Sequence, residues 1–439
     1  MSALLIILLY FSRAIVSSAQ VPTASNPSPS TAVASAAVPQ KTLTYTLPPD
    51  LYRRAHNRGH LRFAIDILKV TSRLLILWLI LQLGWSARLR DWAECISHRR
   101  FLQGLSYTAT LFSVYSVLHL PLDLFEEWVL KFYGISVRSW PSWVGEWLLA
   151  LAVTIVIVSP GVLLVYLFIR YNPRRWWFYF WMSSIPLLAL GIFLWPSIIS
   201  PLFNTYEPLS ARAPELIAPL QQVTRRAGVT VPPERMYWMR ASDKFTYSNA
   251  EVIGFGASTR IVVWDTAINL ESHDGLLSVY GHELGHYVLN HVRKGFLLAI
   301  PLALGVALLS HFSIGRLLAR KGTRWGVRSL HDWASLPVLL LLLALFGFAA
   351  QTAGNAFSRH IEHEADVYAI EVLHGIVSDP GQAGALSLQK FGEQATLDPD
   401  PNRVAVFFFF DHPPVGDRIR FHGSYDPWAP GQVPLFVNR

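Results

Sequence analysis

Hydrophobic and polar positions alternate on a long scale in this chain. Apolar runs of membrane-span length are separated by short polar joints, and one long polar insert interrupts the series. The runs lie at roughly 70–87, 101–120, 146–169, 176–199, 296–311 and 336–353. Several reach the ~20 residues that cross hydrocarbon as a helix. Lys69 and Arg73 sit near one end of the first, where long side chains can reach the interface. Pro160-Gly161 predicts a break in the third, and Trp176-Trp177 opens the fourth in the manner of an aromatic belt. The fifth is short and is expected to begin upstream, in the helix that closes the polar insert. No internal repeat is present in the sequence.

The first segment, Ala3 to Val16, is short and apolar and is followed by Ser17-Ser18-Ala19. It has two readings, a secretory signal cleaved at the small residues or a retained first span with its N-terminus outside. Gln20 to Gln40 is rich in Pro, Ser and Ala and reads as a flexible spacer without a core. The expected division is a signal or first span at 1–19, a linker at 20–45 and membrane helices at 46–200. An insert at 201–294, further membrane helices at 295–353 and a C-terminal region at 354–439 complete it.

Within the insert, Ala213 to Gly228 has a helical pattern. Val252 to Phe255 and Arg260 to Trp264 are β-rich runs joined by Gly256-Ala257-Ser258-Thr259, which predicts a hairpin. By itself this small sheet would only cap the bundle. Beside a site that acts on peptides, its exposed edge at 249–255, starting at Asn249 and Ala250, would take an extended chain through main-chain hydrogen bonds.

Composition narrows the class. Of 439 residues, 52% are apolar and only 15% charged, against the ~25% charged of soluble domains. Extended disorder is excluded by the same hydrophobicity. The single cysteine, Cys95, excludes an intramolecular disulfide framework, a CxxC zinc site and a thiol redox pair. The net charge of +8 does not point to nucleic acid, because its carriers flank the apolar runs: Arg88, Arg90, Arg99 and Arg100; Arg170, Arg174 and Arg175; Arg316, Arg320, Lys321, Arg324 and Arg328. Basic residues so placed fix topology and meet anionic lipid. The expected architecture is mainly α, a polytopic membrane protein with a small α+β insert.

The chemistry concentrates in His282-Glu283-Leu284-Gly285-His286. Residues four apart on a helix lie about 40° apart around the axis, one turn along, so both imidazoles can reach one tetrahedral ion, usually zinc. Glu283 is rotated about 100° from His282 and can address a water beside that ion as a general base. Leu276, Leu277, Val279 and Tyr280 before the motif, with Tyr287, Val288 and Leu289 after it, support a helix whose polar stripe looks inward. His291 follows five residues after His286, which on a continuous helix is about 140° away. It is therefore expected to cap or snorkel rather than to bind metal.

A third protein ligand is required. If the 336–353 helix continues, Asn355, Arg359, Glu362 and Asp366 form one polar stripe along it. Glu362 would complete a His2Glu site; Asp366, one turn on, would orient a ligand histidine or donate a proton during turnover. Asn355 and Arg359 are the remaining candidates for support around the ligands. His363 and Glu364 lie about 100° and 200° from Glu362 and cannot share its face. Asp411-His412-Pro413-Pro414 reads as a Pro-fixed turn entering a short basic helix, with His412 either structural or close to the substrate carbonyl.

At these residues the sequence resembles the type I CaaX prenyl protease family, membrane-embedded zinc endopeptidases related to HtpX. The matching pieces are Pro201-Leu202-Phe203-Asn204, Glu207-Pro208-Leu209, Ser248-Asn249-Ala250, Arg260 to Val263, Asp265-Thr266, His282 to His286, Asn355 to Asp366 and His412-Pro413-Pro414, over about 45–425. The resemblance implies a helical barrel enclosing a water-filled chamber, with one inward-facing zinc. It implies His282, His286 and Glu362 as ligands, Glu283 as catalytic base and Asp366 as an essential neighbour. It also implies a peptide or protein substrate, in the family a CaaX C-terminus. An envelope quality-control protease and a non-catalytic zinc-binding membrane protein are the other readings of the same residues. The side of the membrane is left open. Loops at 86–100, 170–175 and 312–333 carry 12 Lys/Arg against 2 at 122–145, which places the insert outside, while 5 at 41–67 and the family resemblance place it in the cytoplasm.

Overall fold

The computed structural model describes residues 43–253 and 259–437. The candidate signal or first span at 1–19, most of the 20–45 linker and most of the hairpin turn at 256–259 lie outside the described residues. Helices α1 (Pro49–Gln82), α2 (Trp85–Ile96), α3 (Arg100–Phe132), α4 (Trp140–Tyr171) and α5 (Trp176–Leu194) precede the insert. Among the described residues five helices are long and apolar enough to cross a membrane: Arg100–Phe132, Trp140–Tyr171, Trp176–Phe203, His291–Lys321 and Trp333–Leu373.

The apolar stretch at 70–87 is not among these five. Gly84, at φ 67°, turns the chain between α1 and α2, a left-handed conformation that glycine adopts without steric cost. α1 also carries Asp66, Lys69 and Arg73 around the start of this stretch, and Lys69 pairs with Glu126 of α3. The break expected at Pro160-Gly161 does not occur either, since α4 runs through it. In hydrocarbon the remaining backbone groups are satisfied only inside a helix, so one missing N–H costs less than an interruption. Beyond Leu194, a wide turn over Trp195–Ile199 carries the fourth span on to Phe203.

The insert folds as α6 (Ile217–Arg226), a four-stranded sheet, α7 (Asp265–Leu270) and α8 (His273–Val288). Its strands are β1 (Tyr206–Pro208), β2 (Met236–Met239), β3 (Ala250–Ile253) and β4 (Arg260–Trp264), in the order β1-β2-β4-β3. The predicted hairpin is present, with Ala250 opposite Val263 and Ile253 opposite Arg260. Ile261, Val262, Val263 and Trp264 are all buried, so the central strand is covered on both faces. β3 is left as an edge lying against α8.

The fifth apolar stretch is a separate helix, α9 (His291–Lys321), not a continuation of α8. Asn290, at φ 57°, redirects the chain between them. The sixth continues without interruption as α10 (Leu336–Leu373), 38 residues that cross the membrane and then enter the insert. It is the central helix, with most of its apolar window buried where the other spans leave most of theirs exposed. Leu276, Leu277 and Leu284 of α8 share one buried core with Tyr368, Val372 and Leu373 of α10. At about 1.5–3 kcal/mol for each fully buried large apolar side chain, this core fixes the two helices against each other. Helices α11 (Pro380–Gln394), α12 (Arg403–Phe409) and α13 (Val415–Ser424) close the site from the C-terminal side.

Candidate active site

Ser272 starts α8, its Oγ accepting from the Gly275 N–H at 3.1 Å. The helix then carries Gly281 and Gly285 on the side that meets Ala365 and Ala369 of α10. A Cβ at Gly285 would lie 3.1 Å from the Tyr368 side chain and 3.2 Å from the Ala365 Cα. The glycine inside the His-Glu-Leu-Gly-His run thus lets the two backbones approach closely enough for side chains on both to meet at one point.

At that point His282 Nε2 lies 3.1 Å from His286 Nε2 and 3.2 Å from Glu362 Oε2, and His286 Nε2 lies 3.3 Å from Glu362 Oε1. All three residues offer a ligand atom within 4.8 Å of the others. Among the described residues Glu362 Oε2 and His412 Nε2 are buried without a hydrogen-bond partner. Two imidazole nitrogens and a carboxylate, with an orphaned oxygen at their centre, are a donor set that fits a tetrahedral divalent ion. His282 Nδ1 is 2.9 Å from Asp366 Oδ1. Burial and the Arg418 charge push the His282 imidazole down, but its contacts with the Asp366 and Glu362 carboxylates outweigh them and hold it at about 9.

Each histidine is braced from behind. Arg418 of α13 donates from Nε and Nη2 to the two Asp366 oxygens at 2.8 and 2.5 Å, and His422 Nε2 lies 3.4 Å from Asp366 Oδ1. Behind His286, His291 Nδ1 approaches His286 Nδ1 at 2.9 Å, while its Nε2 meets Glu364 Oε2 at 3.0 Å. Lys294 holds the same Glu364 oxygen at 2.7 Å. His412 Nε2 is 3.2 Å from Glu362 Oε1, and Asp411 holds its other nitrogen at 2.9 Å.

Glu283 is buried and lines a cavity with His282, Asn249, Ser248, Arg418 and His422. Asn249 gives its carbonyl to Trp264 N–H at 3.2 Å, within the sheet. The Ala250 N–H turns to the other edge, where Asn249 Oδ1 accepts it at 2.9 Å. Next to them Glu251 is fully buried, and burial together with the Glu283 charge pushes its carboxyl up to about 8, against the Trp264 Nε1–H and Arg260.

Arg359 and Asn355 lie one and two turns before Glu362 on α10. Asn355 Nδ2 donates to the Phe408 carbonyl at 2.8 Å, and Arg359 Nη1 donates to the Val406 and Phe410 carbonyls at 3.1 and 2.8 Å. They fasten the end of α12, from which the His412 turn departs.

The chain has known relatives. The model of peptidase family M48 matches residues 210–422, and that of the CAAX prenyl protease N-terminal region, with five membrane helices, matches 31–205. An uncharacterized metalloprotease of Bacillus subtilis, YhfN, is 31% identical over 362 residues, 81% of each chain. The chain belongs to peptidase family M48. It is therefore a multi-pass membrane metalloendopeptidase, which sets aside the non-catalytic reading. A CAAX prenyl protease 1 homolog of Dictyostelium discoideum is 25% identical over 318 residues, 70% of this chain and 74% of the relative. The crystal structure of S. mikatae Ste24p matches with a TM-score of 0.67 at 18% identity, covering 85% of this chain and 88% of that one. That likeness is one of fold, the helical barrel around a chamber.

Of the sequence candidates, the M48 fold brings His282, Glu283, His286, Glu362, Asp366, Asn249 and His412 to one place. Asn355 and Arg359 sit at its margin. His291 was expected to cap or snorkel, but that angle assumed one continuous helix. The turn at Asn290 folds His291 back onto His286 instead. Arg418, His422 and Glu251 also reach the site, and no spacing rule could have marked them because they come from separate elements; Glu364, off the Glu362 face of the same helix as expected, meets His291 instead.

Proposed function

We propose that this peptidase holds one Zn2+ between His282, His286 and Glu362 and hydrolyses peptide bonds with Glu283 as general base. The observation that carries the reading is the convergence of His282 Nε2, His286 Nε2 and the Glu362 carboxylate from two helices, beside a buried Glu283. Zinc, when bound, would polarise a substrate carbonyl and bring the pKa of a water to about 7. Glu283 takes the proton of the attacking water and delivers it to the leaving amine. Asp366, clamped by Arg418, fixes the His282 tautomer with Nε2 turned inward, and His291 does the same for His286. His412, beside Glu362, is placed to donate to the carbonyl oxygen as charge develops on it.

The substrate is an extended peptide segment. It adds to the open edge of β3, taking over the Ala250 N–H from the Asn249 amide. Edge pairing reads backbone, not side chains, and so admits substrates of varied sequence.

Asp366→Asn is expected to retain zinc and lower catalytic rate or zinc affinity about 10–100-fold, the scale of partners behind metal ligands. His291→Gln should weaken zinc affinity on the same ~10–100-fold scale. Metal titration of the purified variants, alongside cleavage of a fluorogenic peptide, checks both. Wild-type values would reduce Asp366 and His291 to packing residues.

A further inference from the structure

The sequence leaves the side of the membrane open because its basic segments pull in opposite directions, and the fold weights the two sides unequally. The loops at 86–100, 170–175 and 312–333 come together at one end. Arg90 Nη1 donates to the Gly326 carbonyl at 2.9 Å and to Asp332 at 2.5 Å, and Arg100 donates to the His331 carbonyl at 2.8 Å. Ile169, Trp176, Trp325 and Val327 share one core there. Of the basic residues in these loops, Arg88, Arg99, Arg170, Arg174, Arg175, Arg316, Arg320, Lys321, Arg324 and Arg328 are exposed. The acids among them are few: Asp332 is buried, and Asp91 and Glu94 are both engaged by Arg328.

The catalytic residues lie at the opposite end. From Leu336 to Glu362, α10 advances about 40 Å at 1.5 Å per residue, more than the hydrocarbon thickness. At that far end the α3–α4 joint meets the insert, Val137 N–H donating to the Lys244 carbonyl at 3.0 Å.

Of the basic residues of 41–67 that argued the other way, Lys41 lies outside the described residues, Arg58 and Arg62 are drawn into the fold, and Arg53 and Arg54 stay exposed but have partners. Arg53 pairs with Asp50, and Arg54 donates to the Phe132 carbonyl. Arg58 donates to the Ala395 and Thr396 carbonyls, and Arg62 pairs with Asp66 and lies over the Phe410 ring. At the catalytic end Arg58 and Arg62 are therefore structural cations. Basic residues of the long insert far from the spans carry little weight; beside the spans, Arg212 pairs with Glu207 and Lys294 with Glu364, and Arg293 is exposed.

We infer that the basic end is the cytoplasmic end, seated against anionic lipid headgroups, and that the active site opens on the opposite, non-cytoplasmic side. Ten exposed cations on short loops between spans form the charge pattern that holds loops in the cytoplasm and attracts an anionic leaflet. The inference rests on the proposed endopeptidase for its consequence: the substrates are peptide segments exposed outside the cytoplasm, which separates them from cytoplasmic prenylated C-termini.

Cys95, the single cysteine, is exposed on α2 at the basic end and makes the wild-type chain its own probe. Right-side-out and inside-out membrane vesicles are treated with a membrane-impermeant maleimide. The wild type is compared with Cys95→Ser/Thr323→Cys, a second probe of the basic end, and with Cys95→Ser/Asp243→Cys, whose new thiol is exposed at the catalytic end. The expected result is labelling of Cys95 and of the residue 323 probe in inside-out vesicles, and of the residue 243 probe in right-side-out vesicles. The reverse pattern, or equal labelling of both ends in both kinds of vesicle, overturns the inference. Detergent-solubilised samples, in which every thiol should react, control for buried probes. Cleavage assays in detergent are blind to orientation, so failure of the proposed chemistry and failure of this topology are read separately.

Discussion

Replacing Glu283 by Gln is expected to abolish peptide hydrolysis while leaving zinc bound. The substitution keeps the volume and polar character of a buried side chain but removes the base. Its carboxylate sits one residue after His282, turned about 100° from the ligand face, so the three ligand atoms are untouched. General base catalysis is worth about 10²–10⁴-fold, or roughly 3–5 kcal/mol of barrier, and the loss should fall on kcat with little change in KM. Single-turnover cleavage together with metal analysis checks this. Loss of zinc from the variant would move Glu283 among the ligands, and near-normal turnover would assign the base elsewhere, with Glu251 the first residue to test.

Glu362→Ala should strip the site of metal. It removes one of three protein donors, and the loss should exceed the ~10–100-fold effect of residues that only brace a ligand. It also leaves His412 Nε2, 3.2 Å from the lost Oε1, facing a void. Glu362→Gln separates the two consequences, because it fills the space and still lacks the charge. Both variants are expected to lose zinc on dialysis under conditions in which the wild type keeps it. Stoichiometric zinc in the Gln variant would show that Glu362 is not a ligand.

The parts of this site legible in the sequence are those governed by helical periodicity. His282, Glu283 and His286 are related by one turn of a single helix, and Glu362 and Asp366 by one turn of another. Both sets lie as the spacing requires. The hairpin of β3 and β4 was legible for the same reason, two β-rich runs with a turn between them. Periodicity fails where the chain changes direction. Asn290, in a left-handed conformation, moves His291 from a remote face to contact with His286, and Gly84 divides an apolar run that hydropathy joins. Pairings between distant elements are also silent. Arg418 and Asp366 are 52 residues apart and meet only because α13 packs across α10. The packing role of Gly285 became visible only with Ala365 of the partner helix in place.

Charge told a similar story. A count along the chain set one group of arginines against another. The fold gives the described members of the 41–67 group, Arg53, Arg54, Arg58 and Arg62, partners within the protein, whereas of the ten exposed loop cations Arg328 is the one in an ion pair among the described residues. Topological charge is therefore counted after the internal partners have been removed.

The most direct test of the account is the metal dependence of cleavage by the purified wild-type enzyme in detergent. One preparation is assayed for zinc and for hydrolysis of an unmodified peptide as isolated, after exhaustive chelation, and after zinc is returned. The account predicts about one zinc per chain at the outset, loss of metal and activity together, and recovery of both on zinc addition. Hydrolysis that continues at full rate after the metal has been removed would contradict it.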